Sequence, residues 1–490
     1  MGLATVGKFD IVRAVRPFIQ DIPFTQPERL AQGLAGQPGV VLLRSRLFDS
    51  AQARYSFLSA RPFLTFRSTG SRCELRSEDS STEQFGNPWH ILDSLMARYE
   101  LLDELDLPFP LGGCFGFWGY DLKNFVEPQL KRRAVNDLEL PDCHVGFYSS
   151  LIAFDHRLEK AWIISTGVCP DGSRSEQRAR EELMFWHERA RNSSTSLPAP
   201  LPSSESHQLS IHSNVGRSEF LAMVERAQRY IHAGDIYQVN LAQRFAASID
   251  SGWEVYQRLS AVSPSPFSAY YHCGDFQLAS SSPELFLRLS GSQIITRPIK
   301  GTRPRSSDPT RDAQLTFELQ TSPKEISELI MITDLLRNDL GRVCRYGSVH
   351  VPELLCLERY PQVQHLVSTV EGFLREDETH FSAFAKCFPG GSITGAPKIR
   401  AMDIIDELEP VTRGPYTGSL GYLGFNRESQ LSILIRTAVC KNGMSYYHAG
   451  AGIVADSDPV AEYEETLAKA AGFFSALGRT AILSTEPRPV

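Results

Sequence analysis

Arg297-Pro298-Ile299-Lys300-Gly301-Thr302 sets the reading of the whole chain. Ile294 and Thr296 just before it alternate like a strand, and Gly301 lets the backbone turn directly after Lys300. A lysine at a strand end followed by glycine is well placed to reach into a cleft. An ammonium group is not a nucleophile, so such an amine must be desolvated or set near other cations. Arg297, Arg303 and Arg305 are near in sequence and are expected to supply that charge. A solvated basic loop or a salt-bridged lysine accounts for the same residues, and the motif alone leaves all these readings open.

Composition narrows the class. The 490 residues are 42% hydrophobic and 22% charged, ordinary for a soluble globular protein, and a net charge of −7 gives no sign of nucleic-acid binding. Nine cysteines lie scattered without a Cys-x-x-Cys pair. That argues against a zinc cage or a disulfide framework and suits a reducing cytosol, so a cytoplasmic location is expected. Met1-Gly2-Leu3-Ala4-Thr5-Val6 opens no apolar signal core. The longest uncharged runs, Phe109–Tyr120 and His144–Phe154, fall short of the ~20 residues of a membrane span, so no membrane partner is expected.

Strand patterns run at Val40–Leu43, Tyr55–Leu58 and Phe63–Phe66, then through the glycine-aromatic stretch Gly112–Asp121. Leu151–Ala153 and Ala161–Ile164 read as a hairpin pair, and Ser175–Ala190 as a charged helix. A Ser/Pro-rich linker at 191–208 separates a region 1–190 from a region 209–484. The second region opens with a helix ending at Gly234, then a strand over Ile236–Phe245. One face of that strand carries Gln238, Asn240 and Arg244, which is either solvated or the floor of a polar cleft. Strands are predicted at Ala269–His272, Gln277–Ser280, Leu285–Leu289, Tyr360–Thr369, Gly418–Phe425 and Leu431–Val439, and a turn at Ala449–Gly452. Glu284 directly follows a proline at a strand start, where a side chain is usually exposed. Helices are predicted at Lys324–Leu340, Arg400–Leu408 and Val460–Leu477.

Two helices carry paired acids: Glu325 with Glu328, and Glu462 with Glu465, the latter followed by Lys469. Three-residue spacing puts each pair on one helix face. Each pair alone reads as a solvated face. Facing one cleft, the carboxylates would repel by roughly 4 kcal/mol per pair at 4 Å and an effective dielectric of 20, which a hard divalent cation relieves. All-oxygen ligation favours magnesium. Cys114 within Gly112–Gly116 imitates a nucleophile elbow, but no His-x-Glu follows, and it reads as core. Gly391-Ser-Ile-Thr-Gly-Ala-Pro-Lys398 lacks the spacing of a phosphate loop.

Together these segments resemble the chorismate-utilising enzymes. The matching text, in family order, is Asp235–Leu241, Ser282-Pro-Glu284, Pro298–Thr302, Asp334–Gly341, Pro389–Lys398, Arg436-Thr437, Ala449–Asp456 and Glu462–Lys469. The resemblance implies an α+β fold of two large, mostly antiparallel sheets packed orthogonally with helices outside, both regions supplying strands. It implies magnesium held by Glu328 and Glu465, with Glu325 and Glu462 behind through water, gripping the ring carboxylate of chorismate. Arg436 and the backbone at Gly450 and Gly452 would take the other carboxylate. Glu284 would be the proton donor, and His365, Thr394, Tyr416, Lys398 and Lys469 match pocket positions. Family members that activate water carry lysine at the position of Gln238; glutamine is no base, so water is not expected as nucleophile. Anthranilate synthases typically carry alanine at the position of Lys300, whereas aminodeoxychorismate synthase component I typically carries lysine, as here. The resemblance therefore implies conversion of chorismate to 4-amino-4-deoxychorismate, with Lys300 as nucleophile. The nitrogen would come from the glutamine amide through a separate glutamine amidotransferase subunit, in p-aminobenzoate and folate synthesis. Anthranilate synthesis, or a silent scaffold for a glutaminase, are the other readings. The Leu-Leu-Glu-Ser segment that helps anthranilate synthases bind tryptophan reads Leu42-Leu43-Arg44-Ser45 here, which removes an acceptor for the amino group.

Overall fold

Within the strand Gln238–Ser248, residues Val239–Ser248 pair antiparallel, residue for residue, with Met444–Ile453. In this computed structural model, which describes residues 16–46, 53–102, 107–193, 210–360, 362–478 and 482–484, that pair lies in the first of two large sheets. Among the described residues this sheet has thirteen strands. It runs from Phe18–Ile22 through Lys160–Ser165, Ser150–Asp155, Tyr55–Ser59 and Val41–Arg44 to Phe267–His272. It continues through Gln277–Ser282, Thr437–Lys441 and the Met444–Gln238 pair to Ser210–Ser213 and Ile482–Ser484. The second sheet has twelve, from Ile299–Pro304 and Val363–Phe373 at one side through Leu285–Ser290 and Glu428–Ile433 to Gly113–Trp118 and Ser81–Phe85. Pairing is antiparallel throughout both sheets except for Ser210–Ser213 beside Ile482–Ser484. Both sheets take strands from before residue 194 and after residue 209; the linker predicted between them falls almost wholly outside the described residues.

The inner faces of the two sheets share one core. Phe57, Leu151, Tyr271 and Leu278 of the first meet Phe115, Phe147, Leu287 and Tyr422 of the second. Phe57 stacks edge-on to Tyr422 with ring centroids 5.1 Å apart, a geometry the ring quadrupoles favour. Cys114 is fully buried in that core. Helices Glu176–Ser193 and Pro459–Leu477 cover the outer face of the first sheet through Trp186 and Phe473.

Two of the segments that pass from one sheet to the other run side by side. Gln277–Ser282 belongs to the first sheet and Leu285–Ser290 to the second, so the chain crosses at Pro283-Glu284. Glu428–Ile433 and Thr437–Lys441 cross in the opposite sense through Leu434-Ile435-Arg436, with Arg436 at φ +51°. The predicted single strand Leu431–Val439 is thus two strands. The crossings are bonded side by side: the Ser281 amide donates to Arg436 O at 3.0 Å and the Ile433 amide to Glu284 O at 3.1 Å. Ala449–Gly452, predicted as a turn, lies inside the strand Met444–Ile453. Its glycines serve close packing: a Cβ at Gly450 would sit 2.5 Å from Asn240 Oδ1.

The two acid-bearing helices start alike. Ser322 precedes Pro323 and accepts from the Glu325 amide at 3.4 Å; Asp458 precedes Pro459 and accepts from the Ala461 amide at 2.8 Å. A capping oxygen followed by proline at the first helical position fixes where each helix begins, and so where its glutamates point. No helix among the described residues is long and apolar enough to cross a membrane.

A test of the shared core follows from Gly421, where a Cβ would lie 2.0 Å from Gln430 O. Gly421→Ala should lower unfolding free energy in urea by about 2–4 kcal/mol. Gly36→Ala, with no atom within 4 Å of its Cβ, should change it by less than ~0.5 kcal/mol.

Candidate active site

A cavity of about 480 Å³ opens beside both crossings and between the two acid-bearing helices. Glu284 and Arg436 come from the crossings, Lys300 from the strand Ile299–Pro304, and His365 from its neighbour Val363–Phe373. Glu325 and Glu328 project from Pro323–Gly341, and Glu465 and Lys469 from Pro459–Leu477. Gly450, Gly452 and Tyr416 complete the wall. These residues are therefore brought together.

Four others stand behind it. Gln238 is buried against Gly452, whose Cβ would lie 2.5 Å from its Nε2, and its Oε1 has no partner. Thr394 is fully buried, its hydroxyl donating to Gly391 O at 3.2 Å. Lys398 donates to Asp339 at 2.6 Å and to Pro389 O at 3.0 Å, pinning the glycine-rich loop onto a helix. Glu462 is buried, accepts from the Ser457 hydroxyl at 2.6 Å, and keeps Oε2 without a partner.

Lys300 is mostly enclosed. Its Nζ lies 3.4 Å from Ser392 O and 4.0 Å from Glu328 Oε2. The neighbouring arginines do not act as bare cations beside it, contrary to expectation. Arg297 bonds Glu358 at 2.7 Å, Arg303 bonds Glu325 at 3.3 Å and Arg305 bonds Asp312 at 2.9 Å, so each charge is spent on a carboxylate. Glu284 is only 6% exposed, not solvated as a strand-start glutamate would be, because it sits in a crossing between two sheets. Burial raises its pKa, with Ser392 and Lys300 opposing the shift. Burial likewise raises Glu328. For Glu465 burial pushes up but Lys469, Lys324 and Lys300 outweigh it, and the pKa is lowered. His365, buried and near Arg436, is pushed down to about 4 and is neutral at pH 7; its Nδ1 lies 2.9 Å from the Thr302 hydroxyl.

The four paired acids read from the sequence each have a cation: Glu325 has Arg303, Glu328 has Lys300, Glu462 has Lys324 at 3.5 Å, and Glu465 has Lys469 at 2.7 Å. In this arrangement no three potential ligands among the described residues converge as a metal site. The donors are nevertheless oxygen-only, and the unpartnered, buried Oε2 of Glu462 is an acceptor awaiting a positive partner, which fits a hard cation.

Sequence reading missed Lys324, Ser392 and His448 as cavity residues. His448 carried a signal: it lies two and four residues before Gly450 and Gly452, one face of a strand, and was hidden by reading that stretch as a turn. Arg44 is buried against Glu28 at 2.9 Å, and the space beside it is about 30 Å³, the room of one water.

Residues 47–475 match the family model described as chorismate binding enzyme. The chain belongs to the chorismate-binding enzyme family. It is a chorismate-utilising enzyme by that membership. Its relatives include aminodeoxychorismate synthase component 1 of Klebsiella aerogenes, 40% identical over 89% of this chain and 93% of that one. Anthranilate synthase component 1 of Acetivibrio thermocellus is 38% identical over 87% of each. The crystal structure of anthranilate synthase component I from Streptococcus pneumoniae superposes with a TM-score of 0.75 at 31% identity, covering 87% of this chain and 93% of that one.

Glu284→Gln should separate stability from chemistry. A carboxyl whose folded pKa is raised costs stability only above its unfolded pKa of about 4.3. The variant should therefore be more stable than wild type at pH 8, with the difference vanishing below about pH 4, as read by urea unfolding across pH.

Proposed function

We propose that this enzyme aminates chorismate to 4-amino-4-deoxychorismate, keeping the enolpyruvyl group, with ammonia released from glutamine by a partner subunit. The observation that carries this reading is the enclosed Lys300 amine in one cavity with the buried, pKa-raised Glu284. The component 1 designation of the relatives supports a second subunit. Glu328 and Glu465 would hold magnesium, with Glu325 and Glu462 behind them. Magnesium, when bound, would neutralise and anchor the ring carboxylate. Arg436 and the backbone at Gly450 and Gly452 bind the other carboxylate.

Lys300, as the free amine, forms a bond to the ring; the ring double bond shifts and the C4–O bond breaks. Glu284 gives its proton, so the hydroxyl leaves as water. Ammonia then bonds at C4, the electrons shift back, and the bond to Lys300 breaks. Glu284, now a carboxylate, takes back a proton from nitrogen. Net, the hydroxyl and one ammonia hydrogen depart as water, and Lys300 and Glu284 are restored. Neutral His365 orients the ring.

Anthranilate formation is the second reading, favoured by the comparable identity of the anthranilate synthase relatives. Incubation with chorismate, ammonium and magnesium decides by product mass. The expected product carries an amine in place of a hydroxyl and yields p-aminobenzoate only after a lyase is added. Fluorescent anthranilate without a lyase would refute the amination reading.

Lys300→Ala should cut turnover by roughly a hundredfold or more. Mass spectrometry of quenched wild type should show an adduct on Lys300 that the variant lacks; an unmodified Lys300 during turnover counts against covalent catalysis. Glu284→Gln should lower kcat by about 10²–10⁴.

A further inference from the structure

We propose that Arg413 is a positioning residue for chorismate, holding in register three cavity-lining segments that it does not itself extend. The inference rests on the cavity being the chorismate site, and not on which amine is made.

The Arg413 side chain is 1% exposed, and all five of its N–H donors are used. Nε and Nη2 fork onto the two oxygens of Glu409 at 2.8 and 2.6 Å. Nη1 donates to Ile393 O and the Thr417 hydroxyl, both at 3.2 Å. Nη2 also donates to Asn240 O at 2.8 Å. Glu409 completes the unit by accepting from the Ala242 amide at 2.9 Å, so the buried charge is neutralised.

Three of the bonded or contacted residues, Asn240, Ile393 and Tyr416, line the cavity. The Arg413 guanidinium lies 5.5 Å from the Tyr416 ring centre, and that ring is stacked on His448 at 4.9 Å with 10° between planes. One planar cation thus ties the strand Gln238–Ser248, the glycine-rich loop and the turn bearing Tyr416 to a single frame. Lysine, a point charge with three donors, cannot satisfy this set.

A nearby buried pair supplies the control. Lys123 Nζ bonds Asp406 at 2.8 Å with the lysine fully buried, and neither residue lines the cavity. Arg413→Lys, Glu409→Gln and Lys123→Met would each be purified and their Tm, kcat, and KM for chorismate and for ammonium measured. Arg413→Lys should raise the chorismate KM about tenfold or more while the ammonium KM moves by less than about twofold. Glu409→Gln, which leaves the arginine in place but takes away an acceptor, should show the same split. Lys123→Met should lower Tm comparably with chorismate KM within about twofold of wild type.

A wild-type chorismate KM in Arg413→Lys, or an equal rise in Lys123→Met, overturns the proposal, and if Arg413→Lys does not fold the Glu409→Gln result decides. Wild-type enzyme that does not bind chorismate overturns both this inference and the reading beneath it; wild-type turnover with an unchanged variant overturns this inference alone.

Discussion

Two strands leave one sheet for the other at the same place, and the candidate cavity lies beside the bonds between them. A strand inside a sheet has both backbone edges paired and its side chains committed to two faces. At Pro283-Glu284 and Leu434–Arg436 that commitment lapses, and the backbone of each segment is satisfied by the other through Ser281, Arg436, Ile433 and Glu284. A carboxyl and a guanidinium can then occupy positions that neither sheet would grant them. The positive φ of Arg436 belongs to that arrangement, since strain of this kind persists only where surroundings impose it.

Around this frame the charges are balanced in pairs. The four glutamates Glu325, Glu328, Glu462 and Glu465 and their lysine or arginine partners neutralise one another, which avoids the cost of isolated buried charge. The pairs differ in strength. Glu465 with Lys469 is nearly half exposed and worth at most about 1 kcal/mol, whereas Glu462 is almost wholly buried.

Much of this was legible in the sequence where local pattern and tertiary role agree. The strand patterns at Tyr55–Leu58 and Gln277–Ser280 fall on the strands Tyr55–Ser59 and Gln277–Ser282, and the helices read at Lys324–Leu340 and Val460–Leu477 are those that carry Glu325, Glu328, Glu462 and Glu465. The failures share a cause. Glu284 looked exposed, Leu431–Val439 looked continuous and Ala449–Gly452 looked like a turn because each is shaped by a neighbour distant in sequence. Lys398 matched a pocket position yet spends its charge on Asp339 behind the loop, a contact that no spacing announces. The lysine at position 300 was found from its motif, but the arginines expected to tune it are paired with acids, one of them on the unpredicted strand His350–Arg359.

The interleaving of the sheets also has a consequence for how the polypeptide is made. Val41–Arg44 finds one edge partner in Tyr55–Ser59 early, but its other edge belongs to Phe267–His272. Gly113–Trp118 waits longer still, for Ser419–Gly424. During synthesis these two strands leave the ribosome with one edge open, and it is not paired until Phe267–His272 and Ser419–Gly424 have emerged. Such nascent edges are sticky, and closing contacts of this sequence separation is slow. Production of active protein should thus depend on chaperone capacity and translation rate more than on the stability of the finished fold.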